Sequence, residues 1–259
     1  MAIAVTTVAS GGLPVTDVTA THTRLGLHVA EVTKGLAVTK GPGGLPVNFA
    51  PVQDWPGIGG GAPVTYVTLD GVATNVTLSN GNLTATRSNT STAAAGARSL
   101  VSSNVGKQYF EVTAGVHNGV NDAVAVVGPA TSYATALTGQ GGLIAFLGGN
   151  IWINSASTGK SIGAVVAGDV VGIAVDWGPG TPTPSLSWVR KNNGSWNGDP
   201  TANPATGVGG VAGSGTGLAG NPMLLFGNTG SASGNTMTAN FGQTAYANAA
   251  PAGFTNWTV

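Results

Sequence analysis

The stretch Ile162–Trp177, IGAVVAGDVVGIAVDW, decides the fold. Val165 and Val166 lead into a Gly168-Asp169 turn. Val170, Val171, Ile173, Ala174 and Val175 then make a β-branched run that stops at Asp176-Trp177-Gly178-Pro179. A short apolar run between turn signals predicts a strand buried on both faces. It is the most hydrophobic segment of the chain, so a core must form there.

Working outward, the flanking segments have the same character. Val76–Leu78 and Leu83–Thr86 flank Ser79-Asn80-Gly81-Asn82, where Asn-Gly is a strong hairpin signal. Ala93–Arg98 is small and polar and reads as a loop. Gly106–Thr113 reads as a strand with aromatic residues at its centre. Val124–Val127, a loop through Tyr133, Gly142–Phe146 and Asn150–Ile153 follow; beyond the central run come Ser185–Val189, Met223–Phe226 and Thr236–Phe241. Short strands separated by Gly, Asn and Pro turns, with no helical period, predict an all-β sandwich or barrel.

Composition narrows the function. The 259 residues carry nine basic and nine acidic side chains, only 7% of residues are charged, and 42% are apolar. Such a chain folds, because disorder needs low hydrophobicity and high net charge. Zero net charge removes the electrostatic footprint for nucleic acid or anionic lipid. Little charge also means little solubility protection, which suits a surface packed against copies of itself or another assembly. With no cysteine there is no disulfide, thiolate nucleophile or zinc–thiolate site. The opening MAIAVTTVAS lacks a basic region and a long apolar region, so no signal peptide is expected. The longest apolar run is interrupted by Asp169 and is shorter than the roughly 18–20 residues that span a bilayer.

Residues 1–70 read as a separate part, with 71–259 as the domain proper. GGLPV occurs at Gly11–Val15 and Gly43–Val47, and GGAPV at Gly60–Val64, with irregular spacings of 32 and 17 residues. Proline favours strand edges and turns, and Gly-Gly punctuates the segments before it. Short Val/Thr strings between these marks bury little alone. The reading is an extended, strand-forming N-terminal arm that gains order by pairing with another subunit, with Leu13, Pro14, Val15, Leu45, Pro46, Val47, Pro63 and Val64 as candidate assembly contacts.

Candidate chemistry is sparse. A glycosidase needs two carboxylates across a cleft, and Glu111 and Asp176 are the pair on predicted core strands. The plainer reading makes Asp169 a turn residue, Asp176 a strand end, and Glu111 a solvent-facing or strand-bonding group. His22, His28 and His117 have no recognised metal spacing. No Gly-x-Ser-x-Gly motif stands beside a placed histidine and acid, and no glycine-rich run ends in the Lys-Ser/Thr of a phosphate loop. The expectation is no catalytic residue, no metal and no cofactor. Trp152, Trp177 and Trp188 alternate with apolar residues and read as core. Tyr133 and Trp196, with Asn197 beside the latter, sit in predicted loops among Ser, Thr, Asn and Gly. Exposed aromatics in such company suit sugar rings or protein partners, so these three are the candidate ligand contacts.

Four segments in order resemble the SPRY domain, in particular versions found in bacteriophage structural and tail-associated proteins. Gly106–Thr113 (GKQYFEVT) resembles an early strand with a Lys-x-Tyr-x-Glu pattern. Ala167–Asp176 (AGDVVGIAVD) resembles the Gly-Asp-Val-x-Gly-x-x-x-Asp strand pair. Leu186–Gly194 (LSWVRKNNG) resembles the strand ending in a Lys-Asn-Gly turn, and Thr238–Gln243 (TANFGQ) with Pro251–Phe254 (PAGF) resembles the closing strand and tail. The resemblance covers about residues 70–259. It departs from the family at Gly178–Pro184, a lengthened turn, and at Asn197–Asn221, a long glycine-rich insertion. It implies a concanavalin-like antiparallel β-sandwich, a non-catalytic recognition module whose loops bind.

Together these readings predict an antiparallel SPRY-like sandwich preceded by the arm, and a non-enzymatic bacteriophage virion protein. It would be a decoration, head-fibre or tail-associated protein, made in the host cytoplasm and carried on the particle. Its partners would be other virion proteins and copies of itself in a homo-oligomer, with a host-surface glycan or receptor beyond, and neither nucleic acid nor membrane insertion. The alternative is a carbohydrate- or receptor-binding adhesion module acting through the sandwich loops.

Overall fold

The computed structural model describes residues 20–21, 24–25, 66–69, 74–90, 93–117, 121–178, 185–213, 220–227 and 233–257. The chain divides into two units, Met1–Gly60 and Gly61–Val259. In the first, β1 (Ala20–Thr21) pairs antiparallel with β2 (Arg24–Leu25). The expected assembly contacts Leu13, Pro14, Val15, Leu45, Pro46, Val47, Pro63 and Val64 lie outside the described residues, as do His22 and His28.

The second unit is an all-β sandwich of two sheets. The smaller sheet runs β10 (Ala156–Ser161), β9 (Asn150–Ile153), β8 (Gly142–Phe146), β7 (Ala123–Val127), β14 (Asn221–Phe226), β5 (Ala95–Arg98). The larger runs β13 (Val211–Ala212), β12 (Leu186–Lys191), β11 (Val170–Asp176), β6 (Lys107–Ala114), β15 (Thr236–Asn240), β4 (Thr84–Arg87), β3 (Val76–Ser79). Neighbours on both paths pair antiparallel. β16 (Thr255–Asn256) lies parallel beside the start of β6, with Thr255 opposite Gln108 and Asn256 opposite Tyr109.

The central run is β11, held between β6 and β12. Its odd-numbered residues Val171, Ile173 and Val175 join the core between the sheets, with Phe110, Val112, Leu143, Leu224, Phe226 and Phe241. Successive side chains of a strand point to opposite faces, so Ala174 points outward, where it packs with Tyr109 and Trp188. The strand is buried on both faces, as its composition predicts. Asn80 and Gly81, in the β3–β4 turn, both adopt positive φ, the conformation that an Asn-Gly hairpin supplies at little cost. The sandwich begins ahead of residue 70, because Val67 and Leu69 are already in the core and Leu69 bridges to Ser99.

Two segments depart from expectation, and one contact explains both. Ala93–Arg98, read as a loop, contains strand β5, whose partner is β14. The segment through Tyr133, also read as a loop, is the helix α1 (Tyr133–Leu137), capped by Ser132, whose Oγ accepts from the Thr135 N–H at 3.1 Å. Tyr133 and Ala136 close the outer face of the smaller sheet over Ala123, Ala125, Val127, Ile144, Met223 and Leu225. The small residues of β5 make room for this lid. A Cβ on Gly96 would stand 2.8 Å from the Tyr133 ring and 2.7 Å from the Leu224 carbonyl. One helical turn is too short to show a period in sequence.

Candidate binding site

The outer face of the larger sheet has two unlike halves. Over β11, β12 and the first part of β6, Tyr109, Ala174 and Trp188 lie beneath Trp196, Ala202, Tyr246, Ala250 and Phe254. The Trp188 Nε1–H donates to the Val208 carbonyl at 2.9 Å. The Tyr246 ring meets the Tyr109 ring edge-on at 4.8 Å, and its hydroxyl donates to the Tyr109 carbonyl at 2.9 Å. Burial pushes both phenols well above their ordinary range, so they remain neutral donors across the physiological range.

Glu111 fastens this cover. Only 2% exposed, its carboxylate accepts from the Tyr109 hydroxyl at 2.8 Å, the Ala247 N–H at 2.7 Å, the Asn248 N–H at 2.9 Å and the Asn248 side-chain amide at 3.1 Å. A buried carboxylate is tolerated only when its oxygens are bonded in this way. The glutamate thereby ties the segment 246–248 down beside β6.

Over β3, β4, β15 and the end of β6 the face is bare of any described covering segment. The register places Ser79, Thr84, Thr238 and Thr113 in one rank across the four strands, and Thr77, Thr86 and Thr236 in a second. Their alternation partners Leu78, Ala85, Met237, Ala239 and Val112 point into the core or pack against it. Thr84 and Thr238 share a hydrogen bond at 2.9 Å.

Where the two halves meet lies a groove of about 320 Å³, lined by Asn80, Glu111, Thr113, Thr238, Thr244 and Ala247 among others. Its wall is shaped from within. The Asn240 side-chain amide donates to the Thr244 and Ala245 carbonyls, and Gln243 accepts from the Phe241 N–H at 2.8 Å and donates to the Ala239 carbonyl at 3.2 Å. Among the described lining residues Glu111 alone is ionisable, and its oxygens are already bonded, so the groups left for a ligand are hydroxyls and amides. A second hollow, between Val126, Gly142, Val175 and Trp177, measures about 40 Å³ and holds no more than a few waters.

The three residues expected to contact a ligand are not brought together. Tyr133 is 8% exposed and lies on the smaller sheet, beneath the Arg98 guanidinium at 5.2 Å. Trp196 is half-buried on the other outer face, edge-on to Tyr109 at 6.3 Å and under the Arg190 guanidinium at 4.3 Å. Asn197, 2% exposed, accepts from the Val189 N–H at 2.8 Å and donates to the Ser187 and Gly209 carbonyls. Tyr133 and Asn197 therefore pin the covers of the two sheets, because each side chain is closed in by its own segment. Glu111 and Asp176 are also apart. They point to the same face, but Glu111 stands opposite Gly172 and Asp176 opposite Lys107, four ladder positions and about 13 Å away. Glycosidase pairs stand roughly 5–9.5 Å apart. Asp176 instead bonds Lys107 at 3.3 Å. No helix among the described residues is long and apolar enough to cross a membrane.

The bare face escaped the sequence reading, although its signal is present. VTLS (76–79), LTAT (83–86) and TMTA (236–239) alternate hydroxyl with apolar residues, which marks a strand with one polar face. Only the register shows that these faces align.

No family model and no curated protein matches the chain. Among solved structures it is similar to the SPRY domain of human HERC1, at 13% identity and a TM-score of 0.49, over 68% of this chain and 99% of that one. A human SPRY domain matches at 14% identity and a TM-score of 0.45, over 67% and 99%. The carbohydrate-binding module CBM66 from Bacillus subtilis matches at 10% identity and a TM-score of 0.38, over 69% and 94%.

Proposed function

We infer that the chain is a non-enzymatic recognition protein of a bacteriophage particle, with the sandwich as its displayed binding domain and residues 1–70 as its attachment to other subunits. The observation that carries the binding part is the groove of about 320 Å³ on the larger sheet, lined largely by hydroxyl and amide groups and walled by residues whose amides are committed to shaping it. A preformed hollow with few, fixed polar groups is the common form of a ligand site. The particle part is supported by the GGxPV repeats, the 7% charge content and the SPRY-like motifs of the sequence. Light scattering on the full chain and on a chain beginning at Gly61 tests it. A defined oligomer for the first and a monomer for the second supports the arm as an assembly element. Two monomers would overturn attachment through the arm and leave the second reading, a free-standing carbohydrate-binding module, which the hydroxyl and amide lining of the same groove favours.

A further inference from the structure

We propose that an uncharged, extended polysaccharide lies across the bare half of the larger sheet, along the rank Ser79–Thr84–Thr238–Thr113, with one end in the groove beside Thr244. The inference names the ligand class and rests on the reading of the sandwich as a binding domain.

The chemistry of the face selects the occupant. Its two ranks are all hydroxyl side chains, and the flanking Arg87 is turned away, donating to the Gly227 carbonyl at 2.7 Å and the Asn89 carbonyl at 2.9 Å. Among the described residues an anionic ligand finds no counter-charge here. A protein partner finds no aromatic or apolar anchor on the ranks, and such anchors carry most of the energy of protein interfaces. What remains is a partner that is neutral and itself dense in hydroxyls.

Availability and spacing agree. Among the described residues no hydrogen-bond partner is seen for the hydroxyls of Thr77, Ser79, Thr86 and Thr113, so they are open to a ligand. Threonine on a strand is stiff at χ1, so little side-chain entropy is lost when its hydroxyl is engaged. Neighbours in a rank stand about 4.8 Å apart and the ranks about 6.8 Å apart, the spacing of strands and of alternate residues. A chain of sugar rings repeats its donors and acceptors at close to the strand spacing, so consecutive rings meet consecutive strands.

The test is retention of the full chain on insoluble cellulose, chitin and mannan, with alginate as an acidic control, followed by affinity measurement on whichever uncharged polymer retains it. Retention on an uncharged polymer and not on alginate is expected. The double variant Thr84→Val/Thr238→Val, which keeps shape and strand propensity, is expected to weaken binding about tenfold or more, as is Thr113→Lys, while Ser157→Ala on β10 leaves it unchanged. Unfolding midpoints of the variants separate lost binding from lost folding. Equal binding by the folded variants would overturn the site and leave the recognition reading standing. Tighter retention on alginate, or no retention on any polymer, would overturn the ligand class while the arm-dependent oligomer still tests attachment. A doubled mass in solution that Thr113→Lys abolishes would overturn it too, by showing the face to be an interface between copies.

Discussion

The two halves of the larger sheet's outer face meet on β6 and share one hydrogen-bonded frame, yet differ in what stands on them. Over β11, β12 and the first part of β6 the covered outward residues are Tyr109, Ala174 and Trp188, and the chain returns twice to bury them. Over β3, β4 and β15 the outward residues are mostly threonine and serine, half-buried or exposed, and no described segment covers them. The difference is a matter of area. Aromatic side chains bury some 150–250 Å² each, enough to order a covering segment, whereas a threonine rank offers too little apolar surface to offset that ordering. One half therefore stabilises the fold, and the other is free to face a partner.

Substitutions should separate the halves. Trp188→Ala, at the centre of the covered half, should have the largest effect, about 4 kcal/mol of stability lost in urea unfolding, by removing a fully buried ring and leaving a cavity. Next is Glu111→Gln, which keeps the shape but removes the charge and part of the acceptor capacity. It should cost about 2 kcal/mol and loosen the segment over the groove, read as a lower urea midpoint and faster proteolysis near Ala247. A midpoint unchanged by Glu111→Gln would show that the cover is held by its aromatics alone.

Smaller effects lie at the margins. The Val166 N–H, the Asn192 amide and Lys191 hold the Asp169 carboxyl below the ordinary carboxylate range. A lowered folded-state pKa gives stability that is fully present above the unfolded value of about 3.9 and is lost as pH falls below it toward the folded one. Asp169→Asn should therefore lower stability at neutral pH and flatten its decline below about pH 4, measured as unfolding midpoint against pH. Thr113→Val, on the bare half, should shift stability by no more than about 0.5 kcal/mol, because its hydroxyl has no partner among the described residues. A large loss there would erase the distinction between the halves.

Much of the frame was legible in sequence because alternation and turn chemistry are local. The β11 run, the Asn80-Gly81 hairpin and the aromatic strand β6 each declare themselves within a few residues. What stayed hidden depends on partners distant in the chain. Ala95–Arg98 looks like a loop until Tyr133 is seen above Gly96, and Asn197 looks like a loop amide until Val189 and Gly209 meet it. The arm repeats, legible as a pattern, lie outside the described residues. The groove is the least legible part. Its members come from the β3–β4 turn, β6, β15 and the residues after Asn240, and no window of sequence contains them together.

The segment that follows β15 has a further consequence. It leaves the sheet at Asn240 and returns as β16, both times beside β6, and its two ends are pinned by Phe241 and Trp257, whose rings stand 5.7 and 5.6 Å from Phe110. A loop anchored in this way can open without the sheets coming apart, once Glu111 and the Tyr246 hydroxyl let go and Ala250 and Phe254 lift from Tyr109 and Trp188. It is a local opening unit with a free energy below that of global unfolding. The amides of Ala247 and Asn248 should then exchange with solvent deuterium sooner than those of β11, at a rate set by those few contacts. Any ligand seated in the adjoining groove should slow this exchange, and the degree of slowing would gauge how tightly the groove is held closed.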